Sequence, residues 1–177
     1  MKEKMSVQKL CVDALMIALV CITTAVIQIP IPLGYMHLGN VTILAAGVFF
    51  GPMTGLLTGG IGSALADLLT GYAVWALPTL IIKSVMGYVI GRAAWSVCRN
   101  PRFTRVSVLL GSLAGLAVMV IGYTVFGSLL YGSVAAGLSQ VPGLVTESVM
   151  GLAVFYVIAA AFTASHVTKL FVRLSES

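Results

Sequence analysis

Apolar residues run on along this chain in stretches of about twenty, each broken by proline, glycine or a charged residue. A hydrocarbon core of about 30 Å takes roughly 20 helical residues at about 1.5 Å each, so such stretches predict membrane-crossing helices. Six are predicted. The first runs from about 10 to 29 and stops at Pro30 and Pro32, which remove backbone donors and disfavour helix just before them. The next apolar stretch is too long for one span and is divided by Gly51-Pro52-Met53-Thr54-Gly55 into a short second helix, about 40 to 51, and a third, about 55 to 71. Pro78 suits the first turn of a fourth, about 78 to 92, and Pro142 opens a sixth, about 142 to 166, by the same logic. The fifth covers about 106 to 130. Together they predict an all-α, polytopic membrane protein, a six-transmembrane-helix bundle forming one domain over residues 1 to 177.

Composition agrees. Of 177 residues, 59% are hydrophobic and only 8% charged, against roughly 25% in a soluble domain, leaving too few polar side chains to coat a water-facing surface. The net charge of +5 does not imply nucleic acid, because the basic residues are dispersed at segment ends and form no stripe. They report topology instead. Lys2, Lys4, Lys9, Arg92, Arg99, Arg102, Arg105, Lys169 and Arg173, nine of the ten, fall on one side if there are six spans, and the three opposite loops hold no Lys or Arg. By the positive-inside rule both termini are cytoplasmic. Cys11, Cys21 and Cys98 have no C-x-x-C spacing and imply neither disulfide nor metal site. The Lys-rich start before an apolar run resembles a signal peptide, but no cleavage pattern follows, so the run is taken as the first span.

The tenth basic residue, Lys83, lies inside a predicted span, as do Asp67 and Glu147. Counted from the predicted outer ends, all three lie roughly 6 to 8 Å deep. A charge in a span is costly unless paired or wet, so such residues mark a substrate or ion path. A structural reading makes Asp67 and Lys83 a buried pair joining spans three and four, with Glu147 protonated or bonded to Thr or Tyr. A functional reading makes the trio line a pocket open to the outside. The outer loops add Tyr35, His37 and Asn40, then Tyr72 and Trp75, then Tyr131 and Gln140. The Trp and Tyr suit interface anchors, and equally suit walls for a planar ring. Small residues from Gly55 to Ala66 predict close packing of span three inside the bundle, whereas Ala14 and Ala18 in span one form a small-x-x-x-small face that either packs inward or docks a partner. No phosphate-binding loop occurs, and Ser63 has no base within reach, so neither ATP hydrolysis nor a serine hydrolase is expected.

The run Ile29-Pro-Ile-Pro-Leu-Gly-Tyr-Met-His-Leu-Gly-Asn40, with Phe50-Gly-Pro52, Gly59-Gly-Ile-Gly-Ser-Ala-Leu-Ala-Asp67, Gly71-Tyr72 and Pro78-Thr-Leu-Ile-Ile-Lys83, resembles the substrate-binding S components of energy-coupling factor (ECF) vitamin transporters. It is most similar to the branch of pyridoxine and thiamine-precursor carriers. The resemblance is strong over residues 10 to 92 and rests mainly on span pattern from 106 onward. It implies an ECF-type ABC importer in which this chain captures a small vitamin at the extracellular face and hands it to a membrane coupling subunit and two cytoplasmic ATPase subunits. ATP is then used by those partners, with no cofactor in this chain and no enzymatic activity. It also implies that Ala14 and Ala18 dock the coupling subunit. The expected ligand contacts are Glu147, Lys83, Asp67, Trp75, Tyr72, Tyr35, His37 and Asn40. The formal charges favour an amine-bearing ligand, pyridoxine-like or hydroxymethylpyrimidine-like, with Trp75 or Tyr72 stacking on it. The alternative is a self-sufficient secondary transporter or channel using Asp67, Lys83 and Glu147 as an ion or proton relay.

Overall fold

The computed structural model describes residues 6–99 and 106–164. Helix α1 spans Val7–Val26 and is capped by Ser6, whose side chain accepts from the Lys9 amide at 3.1 Å. Residues Ile29–Ile31 (β1) and Gly34–Met36 (β2) follow as a small antiparallel hairpin that pairs Ile29 with Met36 and Ile31 with Gly34. The chain is mostly helical, as expected, and this short two-stranded hairpin is an addition to the helical reading. Pro30 and Pro32 end the helix as expected, and the chain then folds back on itself as paired strands.

Helix α2, Gly39–Phe50, is only twelve residues long, too short at about 1.5 Å each to reach across a hydrocarbon core. Its length matters less because nine of the twelve residues are buried, and a helix apolar all round belongs inside a bundle. Gly51, at φ 96°, turns the chain sharply into α3 (Pro52–Leu57), a π-helical turn (Thr58–Gly62) and α4 (Ser63–Leu69), which follow one another without a break.

Helix α5 is the axis of the fold. It runs Ala73–Arg99 and packs against α2, α3, the π turn, α4 and α6. It therefore starts five residues before Pro78, which lies inside it and does not open it. The helix begins where Gly71, at φ 88°, reverses the chain and the Trp75 amide bonds the Tyr72 carbonyl at 2.8 Å. A bundle interior tolerates an internal proline because neighbouring groups can satisfy the backbone it frees. Helix α6 occupies Val106–Leu130, as the sequence predicts. The following connection holds a short helix α7, Val134–Ser139, absent from the sequence reading, before α8, Val141–Ala164. The end of the sixth predicted span, and the basic residues 2, 4, 102, 105, 169 and 173, lie outside the described residues.

Three helices, α1, Val106–Leu130 and the Ala73–Ala94 part of α5, are long and apolar enough to cross a membrane, as is the stretch Val134–Phe162 that takes in α7 and most of α8. Their outward positions, such as Leu15, Ile22, Leu110, Ile121 and Val149, are large, apolar and exposed, as a lipid-facing surface requires. The chain is a membrane protein. Its core gathers Val20, Ile43, Leu44, Ile82, Met86, Ile90, Met119 and Phe155.

The span-three glycines set how closely α5 can approach. A Cβ on Gly55 would stand 2.5 Å from the Gly87 carbonyl oxygen, and one on Gly59 the same distance from that of Lys83, so backbone meets backbone. A Cβ on Gly87 would run into the Gly55 carbonyl. Gly87→Val therefore lowers the melting temperature in detergent, by the equivalent of about 1–3 kcal/mol or more. Gly34→Ala, whose Cβ meets nothing within 4 Å, leaves it nearly unchanged; equal melting of the two variants would contradict backbone-to-backbone packing.

Candidate functional site

One end of the bundle is built from the hairpin, the end of α4, the start of α5, the end of α6, and α7 with the start of α8. These elements surround a cavity of about 400 Å³, part of it open to the outside at its mouth. Tyr35, His37, Asp67, Tyr72, Trp75, Thr79, Tyr123, Gln140 and Glu147 line it, with Ile31, Leu33 and Leu144 as apolar wall. Lys9 and Arg92 belong to the opposite end. Lys9 donates to Thr54 at 3.1 Å, and Gly91, beside Arg92, abuts Pro52.

At the base of the cavity lies a knot of buried polar groups. Lys83, 1% exposed, donates to Asn40 Oδ1 at 2.6 Å, and Asn40 Nδ2 donates to Glu147 Oε1 at 2.8 Å. Lys83 Nζ also lies 3.6 Å from that carboxylate oxygen, 3.1 Å from Met119 Sδ and 5.6 Å from the centre of the Tyr123 ring. The ammonium is thus enclosed by one carboxylate, one amide oxygen, one thioether and one aromatic face. Each is a suitable partner for a cation out of water. The structural reading that joined Asp67 to Lys83 is not what forms: Lys83 lies against Glu147. Asp67 instead accepts from Tyr35 Oη at 2.7 Å.

His37 completes the knot. Its Nδ1 accepts from the Gly39 amide at 3.0 Å, which leaves the ring proton on Nε2, 3.6 Å from Glu147 Oε1. Burial, and then the Lys83 charge, hold its pKa well below the usual histidine value. Burial also raises the Tyr35 hydroxyl above its ordinary range, so it stays a proton donor to Asp67.

The aromatic residues sort themselves by exposure. Trp75 is 5% exposed and Tyr35 9%, so both are cavity walls and not interface anchors. Tyr35 tilts against Tyr72 at 4.7 Å between ring centres, and Trp75 against Tyr123 at 5.7 Å. Tyr131 reaches the outer side of Trp75 at 6.3 Å while remaining half exposed. Sequence reasoning missed Tyr123 and Thr79, whose hydroxyls bond at 3.0 Å, and Met119. Tyr123 lies about two helical turns before the end of α6 at Leu130, a position that marks it in hindsight. Asp13 was missed too: it is 3% exposed in α1, accepts from Thr54 Oγ1 at 2.6 Å and lies 3.8 Å from Lys9, at the end away from the cavity. Ala14 and Ala18 are exposed on α1 and do not pack inside the chain. Among the described residues no cluster of His, Cys, Asp and Glu is arranged to hold a metal ion, and Cys11 and Cys21 are free.

A bundle with a lipid-facing apolar surface and, at one end, a walled, partly open cavity of aromatic rings and carboxylates has the architecture of a membrane protein with a candidate small-molecule site. The chain belongs to the ECF-type riboflavin transporter S component family, whose model matches residues 4–164. It is 31% identical over 146 residues to the thiamine precursor transporter HmpT of Lactococcus lactis subsp. cremoris, covering 77% of this chain and 78% of that protein. It is 43% identical over 115 residues to an uncharacterized protein of Pyrococcus woesei described only by its place in a gap 3′ region, covering 64% of this chain and 74% of the other. The chain is therefore an S component of a vitamin transporter and not an enzyme, and membership of the family implies association with ECF module subunits.

Two expectations follow from the knot. Lys83→Met leaves Glu147 buried without its cation and lowers stability by about 3–5 kcal/mol, while adding Glu147→Gln restores most of the loss; melting curves of the single and double variants check this. Acidification is the second. The unfolded chain takes up a proton on His37 near its ordinary pKa of 6.5, which the folded chain resists. This contribution is fully present above that pKa and falls away as pH drops below it. His37→Gln should flatten the loss of melting temperature between about pH 6.5 and 5.

Proposed function

We propose that this chain captures a single-ring vitamin or vitamin precursor, pyridoxine-like or hydroxymethylpyrimidine-like, at the extracellular end of a six-helix bundle. It then delivers that ligand to the cytoplasm with a membrane coupling subunit and two ATPase subunits. The observation that carries the reading is the cavity, where aromatic walls and two carboxylates converge in a member of a vitamin-carrier family. The formal charges of Asp67, Glu147 and Lys83 sum to minus one, which favours an amine-bearing ligand over an anion. The 31% relative named as a thiamine precursor transporter supports the same class.

The six spans of this reading are α1, α2, the run from α3 through α4, α5, α6 and α8. Lys9 and Arg92 stand at the end away from the cavity, consistent with that end, and both termini, being cytoplasmic. Ala14 and Ala18, exposed beside Leu15 and Leu19 on α1, offer a small-residue face that fits the coupling subunit's helices. ATP is consumed in the partner subunits, and this chain carries no cofactor.

Purified protein should bind a member of a vitamin panel by calorimetry. In liposomes, alone, it should take up none against a gradient, and with the ECF module it should do so on addition of ATP. Uptake by the chain alone would favour an ion-coupled carrier using Asp67, Lys83 and Glu147. Ala14→Trp with Ala18→Trp should keep ligand binding but abolish co-purification with the module.

A further inference from the structure

Several of the cavity's polar atoms already have hydrogen-bond partners within the chain. Tyr35 Oη is spent on Asp67 Oδ1, Tyr123 Oη on Thr79, and Gln140 Nε2 on the Tyr123 carbonyl at 2.8 Å. His37 Nδ1 is taken by the Gly39 amide, and Lys83, Asn40 and Glu147 Oε1 are joined to one another. Among the described residues lining the cavity, two buried side-chain atoms have no hydrogen-bond partner: Asp67 Oδ2 and Trp75 Nε1. Thr79 lies near enough to Asp67 to interact with it, yet donates no bond to Oδ2 that meets hydrogen-bond geometry. One leftover atom is an acceptor carried by a carboxylate, the other a donor only.

Leaving either atom unmade is expensive, and both belong to residues that are nearly wholly buried, Asp67 at 6% and Trp75 at 5% exposure. Their chemistry is complementary to a rim that presents one N–H donor and one acceptor. The rings around them, Tyr35 with Tyr72 and Trp75 with Tyr123, give such a rim flat surfaces to lie against. Lys83, by contrast, is held by Asn40 and by Oε1 of Glu147, so an incoming ligand would have to break that knot to use the ammonium.

We propose that Asp67 and Trp75 are the residues that read the ligand, and that they select a flat, single-ring heteroaromatic amine. Its amino N–H bonds Asp67 Oδ2 and a ring nitrogen or hydroxyl oxygen accepts from Trp75 Nε1. Glu147 and Lys83 form the floor beneath it. This assignment rests on the vitamin-capture reading and narrows it: an aminopyrimidine satisfies both atoms, and a ring carrying a carboxylate or phosphate is refused by Asp67.

The test is calorimetry on the detergent-solubilised full chain with 4-amino-5-hydroxymethyl-2-methylpyrimidine, its analogue lacking the amino group, and pyridoxal phosphate. Wild type should bind the aminopyrimidine about tenfold or more tightly than the deamino analogue, because a site built to bond an N–H rejects the molecule that lacks it. Asp67→Asn should weaken the aminopyrimidine by about 30-fold and the deamino analogue by no more than about threefold, so that the two bind alike. Trp75→Phe, which keeps a ring but removes the donor, should cost about tenfold for both ligands. Discrimination by ligand in the wild-type protein needs no variant to fold, so a misfolded Asp67→Asn leaves that arm decisive. Equal wild-type affinity for the two pyrimidines, or phosphate-bearing ligand bound as tightly, overturns the assignment and leaves vitamin capture standing. Failure of the folded wild type to bind any member of a wider vitamin panel overturns vitamin capture itself.

Discussion

The structure depends on how one ammonium group is kept inside lipid. Lys83 lies in the middle of the bundle at 1% exposure, and a cation there is tolerable only if every direction around it offers electron density. Asn40 supplies the nearest oxygen, Glu147 the countercharge, Met119 a polarisable sulfur and Tyr123 a ring face. Those groups come from α2, α8 and α6, so satisfying one charge fixes the relative placement of four helices. The glycines opposite it contribute equally. Gly59 lets the π turn press onto the Lys83 carbonyl, which sets the depth at which the side chain enters the core.

That arrangement explains why two carboxylates of similar burial differ in what remains open to a ligand. Glu147 faces a cation, an amide donor and the Nε2 side of His37, whereas Asp67 receives one tyrosine hydroxyl from the hairpin. In a low-dielectric site a carboxylate with a bare oxygen is the one that attracts an N–H donor most strongly. The knot takes up Lys83 and one oxygen of Glu147, and under the proposed assignment the atoms it does not reach are the ones left for recognition.

Much of this was legible in the chain. Charged residues in apolar runs are conspicuous because they are costly, so Asp67, Lys83 and Glu147 stood out, as did the aromatic loops that surround them. The limits of α2 and α6 followed from glycine and charge punctuation within a residue or so. What misled was proline: Pro78 lies inside α5, because the interior of a bundle can satisfy the carbonyl that proline frees, and a rule learned from helix starts does not apply. The pairing of Lys83 was not legible, since spacing along a sequence gives depth in a span but not rotation about a helix axis. A rotation of roughly 100° per residue decides whether a side chain meets α4 or α8. Asp13 was overlooked for a related reason. Near a helix end a carboxylate reads as an exposed flank, and only the packing of α3 across it makes it buried.

The first helix links these levels. At one end it is tied to α3 through Thr54 and Asp13, and at the other it passes through two residues into the hairpin that carries Tyr35. Between them its inward positions, Met16, Val20 and Thr24, are buried, while Ala14 and Ala18 stay bare beside exposed leucines. A helix fixed at both ends with one small-residue face left open can take a neighbouring helix at close range without losing its own packing, since only apolar surface is exchanged, lipid for protein. The same geometry keeps the hairpin registered over the cavity, because Tyr35 is held by its bond to Asp67 on one side and by the short chain to α1 on the other. A carrier subunit needs its ligand site and its docking face to coexist without sharing residues. On the proposed reading they are separated along one helix and its extension, with the polar contacts at the two ends and the exposed apolar stripe between.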